Sequence, residues 1–237
     1  ILGNLTDILI TVSNLNKKKI IDLNIAKETK LKNIYSGIDL KLFTNKNNIE
    51  FRKELNLKSH HILLGSVGRL SFQKDPITMI NAFDIVAKRF PNAHLVLVGD
   101  GELRSIIVDR IDQLHLNDRV HLTGNKNNPW KIYHSLDLFI MSSIYEGLGR
   151  SITEALSCGV PVVCTSVEGV PEIVRDNKTG ILVPPKDASA LAEGVIKSLS
   201  NMEVAKKMAS KGHKFVNDNF DVNKMVGDID ALYDRQL

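Results

Sequence analysis

The chain has 237 residues, of which 43% are hydrophobic, and 31 Lys and Arg residues stand against 27 Asp and Glu, a net charge of +4. This size allows one large globular domain with part of a second, and the evenly spread charge argues against nucleic acid as a partner. Because no membrane-spanning run, signal peptide or CxxC pair is visible, we expect a cytoplasmic protein without a structural zinc site.

The first 44 residues differ in character from the rest of the chain. The chain begins with Ile1, and the apolar stretch 8–12 predicts a strand that needs neighbours to cover its edges. We therefore expect residues 1–44 to be the remnant of another domain and the chain to be a fragment. The basic run 17–19 predicts a solvated helix start, with contact to an acidic membrane surface as the second interpretation.

From residue 62 onward, short apolar runs alternate with segments of helical period. The predicted strands are 62–67, 94–98, 120–122, 138–141, 162–164 and 181–183. The predicted helices are 76–89, 102–114, 130–134, 150–158, 188–199, 204–216 and 222–233. Strands that are apolar on both faces and are joined by helices predict an α/β protein with a doubly wound parallel sheet.

In such a sheet, ligands bind beyond the carboxyl ends of the strands. Five of the predicted strands are followed there by loops rich in glycine and polar residues. These loops are 68–74, 99–101, 124–126, 142–149 and 166–169. Each short glycine string alone is typical of a turn. Because all five loops lie at the carboxyl ends of predicted strands, together they predict a single binding crevice.

The fourth of these loops is the most informative, because Glu146-Gly147-Leu148-Gly149 precedes a helix that carries Glu154. Glycines let backbone N–H groups approach a phosphate at the helix N-terminus, where the helix dipole favours an anion. Carboxylates accept hydrogen bonds from diols. The pattern therefore predicts a ligand with a diphosphate and several hydroxyls, such as a nucleotide sugar.

Several motifs together resemble the C-terminal, donor-binding half of family-4 glycosyltransferases. They are Val67-Gly68-Arg69-Leu70 with Lys74, Val98-Gly99-Asp100-Gly101, Glu146 and Glu154 in an E-x7-E frame, Gly159-Val160-Pro161-Val162-Val163 and Thr179-Gly180-Ile181-Leu182-Val183-Pro184. The resemblance covers residues 62 to about 200. Upstream, Val12-Ser13 and 36–39 resemble the end of the family's N-terminal domain and its linker, with Ser36 where the family usually has Asn.

This resemblance implies half of a GT-B fold, in which two Rossmann-like domains face each other, and transfer of a hexosyl group with retention of configuration. It divides the chain into an acceptor-domain remnant with linker (1–44), a donor-binding domain (45–221) and a C-terminal helix that crosses back to the N-terminal domain (222–237). The implied partners are a nucleotide-sugar donor, by frequency a UDP-sugar, and a saccharide or glycolipid acceptor of polysaccharide biosynthesis. No cofactor is implied.

The resemblance also implies roles for individual residues. Arg69 and Lys74 neutralise the donor diphosphate, while Glu146 orients hydroxyls of the donor sugar. The two glutamates are not an acid and base pair, because a nucleoside diphosphate leaves without protonation. The other substrate-binding residues are Glu154 for the ribose diol, the backbone of Gly124, Asn125 and Lys126 for the base, and Gly68, Gly147, Leu148 and Gly149 around the phosphates.

No essential metal is expected. The string Asp228-Ile229-Asp230 matches the DxD motif with which other glycosyltransferases hold a metal. It falls in the middle of a predicted helix, where neighbouring side chains diverge, so we expect solvated surface.

Other classes of protein share parts of this sequence pattern. A dehydrogenase would need the G-x-G-x-x-G fingerprint, which neither Gly65-x-x-Gly68 nor Gly99-x-Gly101 completes, and an NTPase would need a P-loop string. A nucleotide-sugar epimerase of the same architecture stays open; it would release an epimerised sugar nucleotide without an acceptor. A nucleotide-sugar-binding module without activity of its own also stays open, because two full domains need roughly 300 residues.

Overall fold

The computed structural model of the chain describes residues 5–44 and 50–234. Its strands are β1 Leu9–Thr11, β2 Leu31–Asn33, β3 Ile62–Val67, β4 Ala93–Val98, β5 Val120–Gly124, β6 Leu138–Met141, β7 Val162–Thr165 and β8 Ile181–Val183. Its α-helices are α1 Asn14–Asp22, α2 Glu50–Glu54, α3 Pro76–Arg89, α4 Arg104–Gln113, α5 Pro129–Tyr133, α6 Arg150–Ser157, α7 Val170–Ile173, α8 Ala188–Ser200, α9 Met202–Asn219 and α10 Val222–Asp234. Short 3-10 helices span Glu28–Lys30, Leu40–Phe43 and Phe72–Lys74.

Strands β3 to β8 form one parallel sheet in the order β5-β4-β3-β6-β7-β8, which confirms the predicted α/β fold. All six strands overlap their predicted ranges. Among the helices, α9 starts earlier and ends later than predicted. Its start is set by Asn201, whose side-chain oxygen accepts the Val204 N–H at 3.2 Å and caps the first turn.

The strand order reverses between β3 and β6. The chain runs outward from β3 through β4 to β5, then crosses back to β6 and continues through β7 to β8. In open α/β sheets the loops on either side of such a reversal diverge and leave a crevice at the carboxyl end of the strands. The loops that follow β3 and β6 therefore meet at this crevice.

Both faces of the sheet are covered by helices. Consecutive residues of β3 belong to different apolar clusters, since Leu63 packs with Tyr133, Phe139 and Ile152 on one face and Leu64 packs with the residues around Phe83 on the other. Each fully buried side chain of this kind contributes about 1.5–3 kcal/mol of transfer free energy. The sheet is thus a rigid platform from which the loops project.

The N-terminal strand pairs within the chain, with a partner that the sequence did not predict. Strand β1 pairs in parallel with β2, Leu9 opposite Leu31, as a separate two-stranded sheet. Helix α1 follows β1 directly, and the Ser13 hydroxyl caps it by accepting the Asn16 N–H at 3.1 Å. The basic run 17–19 is therefore part of a helix, as predicted.

Helix α10 lies against the linker segment that precedes residue 40. Ile38 bridges to Asp221, and the Gly37 N–H lies 3.3 Å from the Met225 sulfur. The predicted domain division stays a prediction, because the boundary at 44 and 45 meets residues 45–49, outside the described ranges. Residues 1–4 and 235–237 of the predicted outer segments also lie outside them. No helix of the described ranges has the length and apolar character needed to cross a bilayer.

Candidate functional site

An open cleft of about 500 Å³ lies at the carboxyl ends of β3, β4 and β5. Its lining residues are Val67, Gly68, Arg69, Val98, Gly99, Asp100, Asn125, Lys126, Pro129 and Glu154. Five predicted site residues, Gly68, Arg69, Asn125, Lys126 and Glu154, thus line one cleft. A cavity of about 20 Å³ shares Gly68 and Arg69 with the cleft and adds Lys74 and Ser151.

Glycines let the loops after β3, β4 and β5 pack closely. A Cβ on Gly99 would lie 2.0 Å from the Gly68 carbonyl oxygen, so no side chain fits at position 99. The Gly99 N–H donates to the Gly124 carbonyl oxygen at 2.9 Å. Gly124 does not line the cleft, and its hydrogen bond with Gly99 fixes the start of the loop that carries Asn125 and Lys126.

Lys74 and Glu146 form an ion pair across the point where the strand order reverses. Their side chains are only 25% and 14% exposed. Ser143 donates a hydrogen bond to the same Glu146 oxygen at 3.4 Å, and Ser142 donates to the Lys74 carbonyl oxygen at 2.8 Å. The loops after β3 and β6 are therefore held together, and two residues predicted to bind different parts of a ligand are in direct contact.

The turn that follows Glu146 leads into helix α6. Gly149 adopts φ 98° at the helix start, a left-handed conformation that favours glycine. Leu148 is buried and anchors the turn in the core. Among the described residues, none accepts a hydrogen bond from the backbone N–H groups of Gly147, Leu148 or Gly149. These donors stand at the positive end of the helix dipole, an arrangement that suits an anion.

Glu154 lies one turn further along α6 with a side chain that is 12% exposed. One carboxylate oxygen accepts the Tyr133 hydroxyl at 2.8 Å, and the other accepts the Arg150 Nε at 3.1 Å. Burial raises the pKa of Glu154 above its ordinary value, while the hydrogen bonds from Tyr133 and Arg150 oppose this shift. Each oxygen keeps a further lone pair for a ligand hydroxyl.

The two basic residues that line the cleft are Arg69 and Lys126. The Arg69 side chain is 74% exposed, and its Nε lies 3.4 Å from a Glu102 oxygen. Such a surface pair contributes little to stability, so the anionic group of a ligand can replace the Glu102 carboxylate as the partner of Arg69. The Lys126 ammonium lies 2.9 Å from a Glu54 oxygen on α2 and over the Phe51 ring.

Helix α1 makes a set of contacts with the turn at 146–149 that the sequence does not predict. Lys19 donates to one oxygen of Glu168 at 2.8 Å, and the other oxygen accepts the Glu146 N–H at 3.1 Å. Asn16 donates to the Gly147 carbonyl oxygen at 3.1 Å. The fifth loop was part of the predicted crevice, but no local pattern pairs Glu168 with a lysine 149 positions away.

Gly169 and Glu172 complete this contact surface. A Cβ on Gly169 would lie 2.2 Å from the Gly147 carbonyl oxygen, so glycine is required there. Glu172 accepts the backbone N–H of Leu15 at 2.8 Å and the Tyr35 hydroxyl at 2.9 Å, which fixes the N-terminus of α1. Helix α1 is thus joined to the candidate site by charged and neutral hydrogen bonds.

No group of three or more His, Cys, Asp or Glu side chains in residues 5–44 and 50–234 is arranged to hold a metal ion. Asp228 and Asp230 lie in α10, and both are exposed, as predicted. Of the basic run 17–19, Lys17 pairs with Glu28 at 3.4 Å and Lys19 pairs with Glu168. Contact with a membrane surface stays a prediction.

Comparison with solved structures shows the same fold. The chain is similar to the HepE protein of Anabaena in complex with UDP-glucose, with a TM-score of 0.90 and 25% identity over 97% of this chain and 64% of the other. The parallel sheet and its helices thus have the architecture of the C-terminal, Rossmann-like half of GT-B glycosyltransferases.

Sequence comparisons agree with the fold. The chain is 29% identical to the capsular polysaccharide biosynthesis glycosyltransferase CapM of Staphylococcus aureus, over 98% of this chain and 62% of that protein. It is 27% identical to the UDP-Gal:alpha-D-GlcNAc-diphosphoundecaprenol alpha-1,3-galactosyltransferase of Escherichia coli, over 95% of this chain and 59% of that protein. The chain spans roughly three fifths of the length of these relatives.

A sequence profile of the family described as glycosyl transferases group 1 matches residues 47–215, which is most of the chain. The profile includes the cleft, the Lys74–Glu146 pair and helix α6. The chain belongs to the group 1 glycosyl transferases.

Proposed function

We propose that this chain holds the donor site of a retaining, family-4 type hexosyltransferase that uses a UDP-sugar. The acceptor is a saccharide or a lipid-linked saccharide. The proposal rests mainly on the arrangement at the crevice, where Arg69, Lys126 and Glu154 line the cleft. The adjoining cavity adds Lys74, which pairs with Glu146, and Ser151 from the first turn of α6. The UDP-glucose bound by the Anabaena neighbour and the lipid-linked substrate named for the Escherichia coli relative support the choice of partners.

The diphosphate binds at the N-terminus of α6. The N–H groups of Gly147, Leu148 and Gly149 have no acceptor among the described residues, and Lys74 lines a small cavity together with Ser151 of α6. A lysine ammonium has three donors, so Lys74 binds Glu146 and a phosphate oxygen together. Arg69 moves from its exposed pair with Glu102 to the ligand. These groups stabilise the negative charge that grows on the diphosphate as the glycosidic bond breaks.

The two carboxylates bind hydroxyl groups. Glu146 accepts hydrogen bonds from the donor sugar, and Lys74 balances its charge. Glu154, fixed by Tyr133 and Arg150, accepts hydrogen bonds from the ribose diol. The base lies against the backbone of residues 124–126. Neither glutamate transfers a proton to the leaving group, and no metal is required.

Calorimetric titration with UDP, GDP and ADP, with and without magnesium, tests the proposal. We expect saturable, metal-independent binding of UDP that is weakened in Arg69→Ala. The matched control is Lys207→Ala, because Lys207 forms an exposed ion pair with Glu203 away from the cleft. A folded chain that binds no nucleotide would contradict the proposal.

Product analysis separates the remaining alternatives once a nucleotide binds. Transfer from a UDP-hexose to an acceptor identifies the transferase. A released, epimerised sugar nucleotide in the absence of an acceptor would identify an epimerase. Binding of the donor with neither product would identify a nucleotide-sugar-binding module. Retention is read from the anomeric configuration of the product by NMR.

A further inference from the structure

Tyr133 has a polar group that the core does not need. The residue is 0% exposed and packs between Phe43 and Phe139, with ring centroids 6.3 Å and 5.8 Å away. A phenylalanine would fill this space without placing a hydroxyl in the core. Burying a hydroxyl costs free energy unless the hydroxyl is hydrogen-bonded. In the described ranges, the hydroxyl has one hydrogen-bond partner, the Glu154 carboxylate at 2.8 Å.

The two groups that hold Glu154 differ in mobility. Arg150 is 66% exposed, so its side chain is free to leave the carboxylate. Tyr133 is enclosed by aromatic rings and cannot turn away. Burial and the charge of Glu154 raise the pKa of the phenol well above its ordinary value, so the hydroxyl keeps its proton and stays a donor at neutral pH.

We propose that Tyr133 is a positioning residue that fixes the Glu154 carboxylate for the ribose diol and thereby sets a preference for ribonucleotides over deoxyribonucleotides. This inference rests on the proposed function, because Glu154 lines the cleft in which the nucleotide is placed. A carboxylate that is already oriented loses less conformational freedom when it binds a diol. Tyr133 does not line that cleft and acts through Glu154.

The test compares Tyr133→Phe with the matched control Tyr35→Phe. Tyr35 also donates to a glutamate, Glu172, at 2.9 Å, but does so away from the cleft. The affinities of UDP and of 2′-deoxy-UDP are measured by calorimetry for both variants and for the parent chain. We expect Tyr133→Phe to weaken UDP binding about tenfold, the size of one charged hydrogen bond. Binding of 2′-deoxy-UDP should weaken less, because this nucleotide offers Glu154 one hydroxyl instead of two. Tyr35→Phe should bind both as the parent does.

Further variants separate a positioning role from a purely structural one. In a Glu154→Ala background, Tyr133→Phe should have no additional effect, since the hydroxyl acts only through the carboxylate. Glu154→Asp keeps the carboxylate charge but moves the carboxylate away from the Tyr133 hydroxyl. This variant should therefore also discriminate less between UDP and 2′-deoxy-UDP. This variant tests the inference even if Tyr133→Phe does not fold.

Two results would overturn the inference, and they are distinguishable. If the parent chain binds neither nucleotide, the proposed function fails and the inference fails with it. If the parent prefers UDP while folded Tyr133→Phe or Glu154→Asp keeps the same preference, the donor site stands and the positioning role is wrong.

Discussion

Lys19 and Glu168 are joined by a hydrogen-bonded ion pair of 2.8 Å, although 149 positions separate them in the chain. The second oxygen of Glu168 accepts the Glu146 N–H. Helix α1 is therefore linked through one carboxylate to the turn that presents Glu146. Both members of the pair are partly exposed, so the pair contributes at most about 1 kcal/mol to stability. The pair instead fixes the position of Glu168 and, through it, the position of the turn that carries Glu146.

Replacing Lys19 should affect the sugar part of the site more than the nucleotide part. We expect Lys19→Met to weaken UDP-hexose binding about threefold and to leave UDP binding nearly unchanged, because a loosened Glu168 releases Glu146 while the anion site at α6 stays in place. Calorimetry with UDP and UDP-glucose measures both. The control is Lys17→Met, which removes an exposed pair with Glu28 on the same helix. An equal loss of UDP-glucose affinity in Lys19→Met and Lys17→Met would contradict the prediction.

Removing Lys74 should destabilise the fold as well as the donor complex. Lys74→Met leaves the Glu146 carboxylate, which is 14% exposed, without its counter-charge. We expect a loss of about 1–3 kcal/mol in the free energy of unfolding, measured with urea, because an unpaired and largely buried charge is costly. Adding Glu146→Gln to Lys74→Met should recover part of this loss. If the double variant is less stable than the single one, the ion pair is not the cause.

The affinity for a ribonucleotide should depend on pH through Glu154. Burial raises the pKa of this carboxyl above its ordinary value, so it protonates at a higher pH than a solvated glutamate. A protonated carboxyl accepts fewer hydrogen bonds, so UDP affinity should fall as the pH falls through this raised pKa. Glu154→Gln should bind more weakly but without that fall. A pH profile that is identical for both proteins would remove Glu154 from the diol site.

The same carboxyl has the opposite effect on stability. Because its pKa is raised in the folded state, the folded chain binds this proton more tightly than the unfolded chain. Protonation of Glu154 therefore stabilises the fold, and this contribution is lost as the pH rises through the folded pKa. Urea unfolding at a series of pH values should show Glu154→Gln gaining stability relative to the parent as the pH rises.

A histidine cluster at the opposite end of the sheet should make the fold sensitive to acid. His61 and His121 lie beside His94, with His94 Nδ1 3.1 Å from His121 Nε2. Burial, followed by the nearby His61, His121, Arg119 and Arg52 side chains, lowers the pKa of His94 to about 4.

The sign of this effect follows from the lowered pKa. The unfolded chain binds the His94 proton below about pH 6.5, and the folded chain binds it only near pH 4. The stabilisation is therefore complete above the unfolded pKa and is lost as the pH falls towards 4. His94→Gln should flatten the acid side of the stability profile, whereas His115→Asn, at an exposed position, should not. Profiles of unfolding free energy against pH that run parallel for the parent and His94→Gln would contradict the role of His94.

The six strands of the main sheet could be predicted because each is a short apolar run bounded by glycine or polar residues. The crevice followed from one rule about parallel sheets, which placed Arg69, Asn125, Lys126 and Glu154 together. Strand β2 could not be predicted, because Leu31–Asn33 contains one apolar residue and therefore lacks the apolar run that marks the other strands.

The contacts that hold the site in place could not be read from local pattern either. Lys19 and Glu168 look like solvated charges in their own segments, since nothing in either segment specifies the other. Tyr133 has the pattern of a core aromatic residue on a short helix, which it also is. Its hydrogen bond to Glu154 depends on how α5 and α6 pack, and packing of this kind is set by the whole fold.

In the proposed function, the N–H groups at the start of α6 bind the diphosphate of a UDP-sugar. Amide chemical shifts recorded by NMR during titration with UDP test it most directly. We expect the largest changes at Gly147, Leu148, Gly149 and Arg150, with smaller changes at Gly68 and Asn125. Binding of UDP that leaves these amides unchanged and shifts residues elsewhere would contradict it.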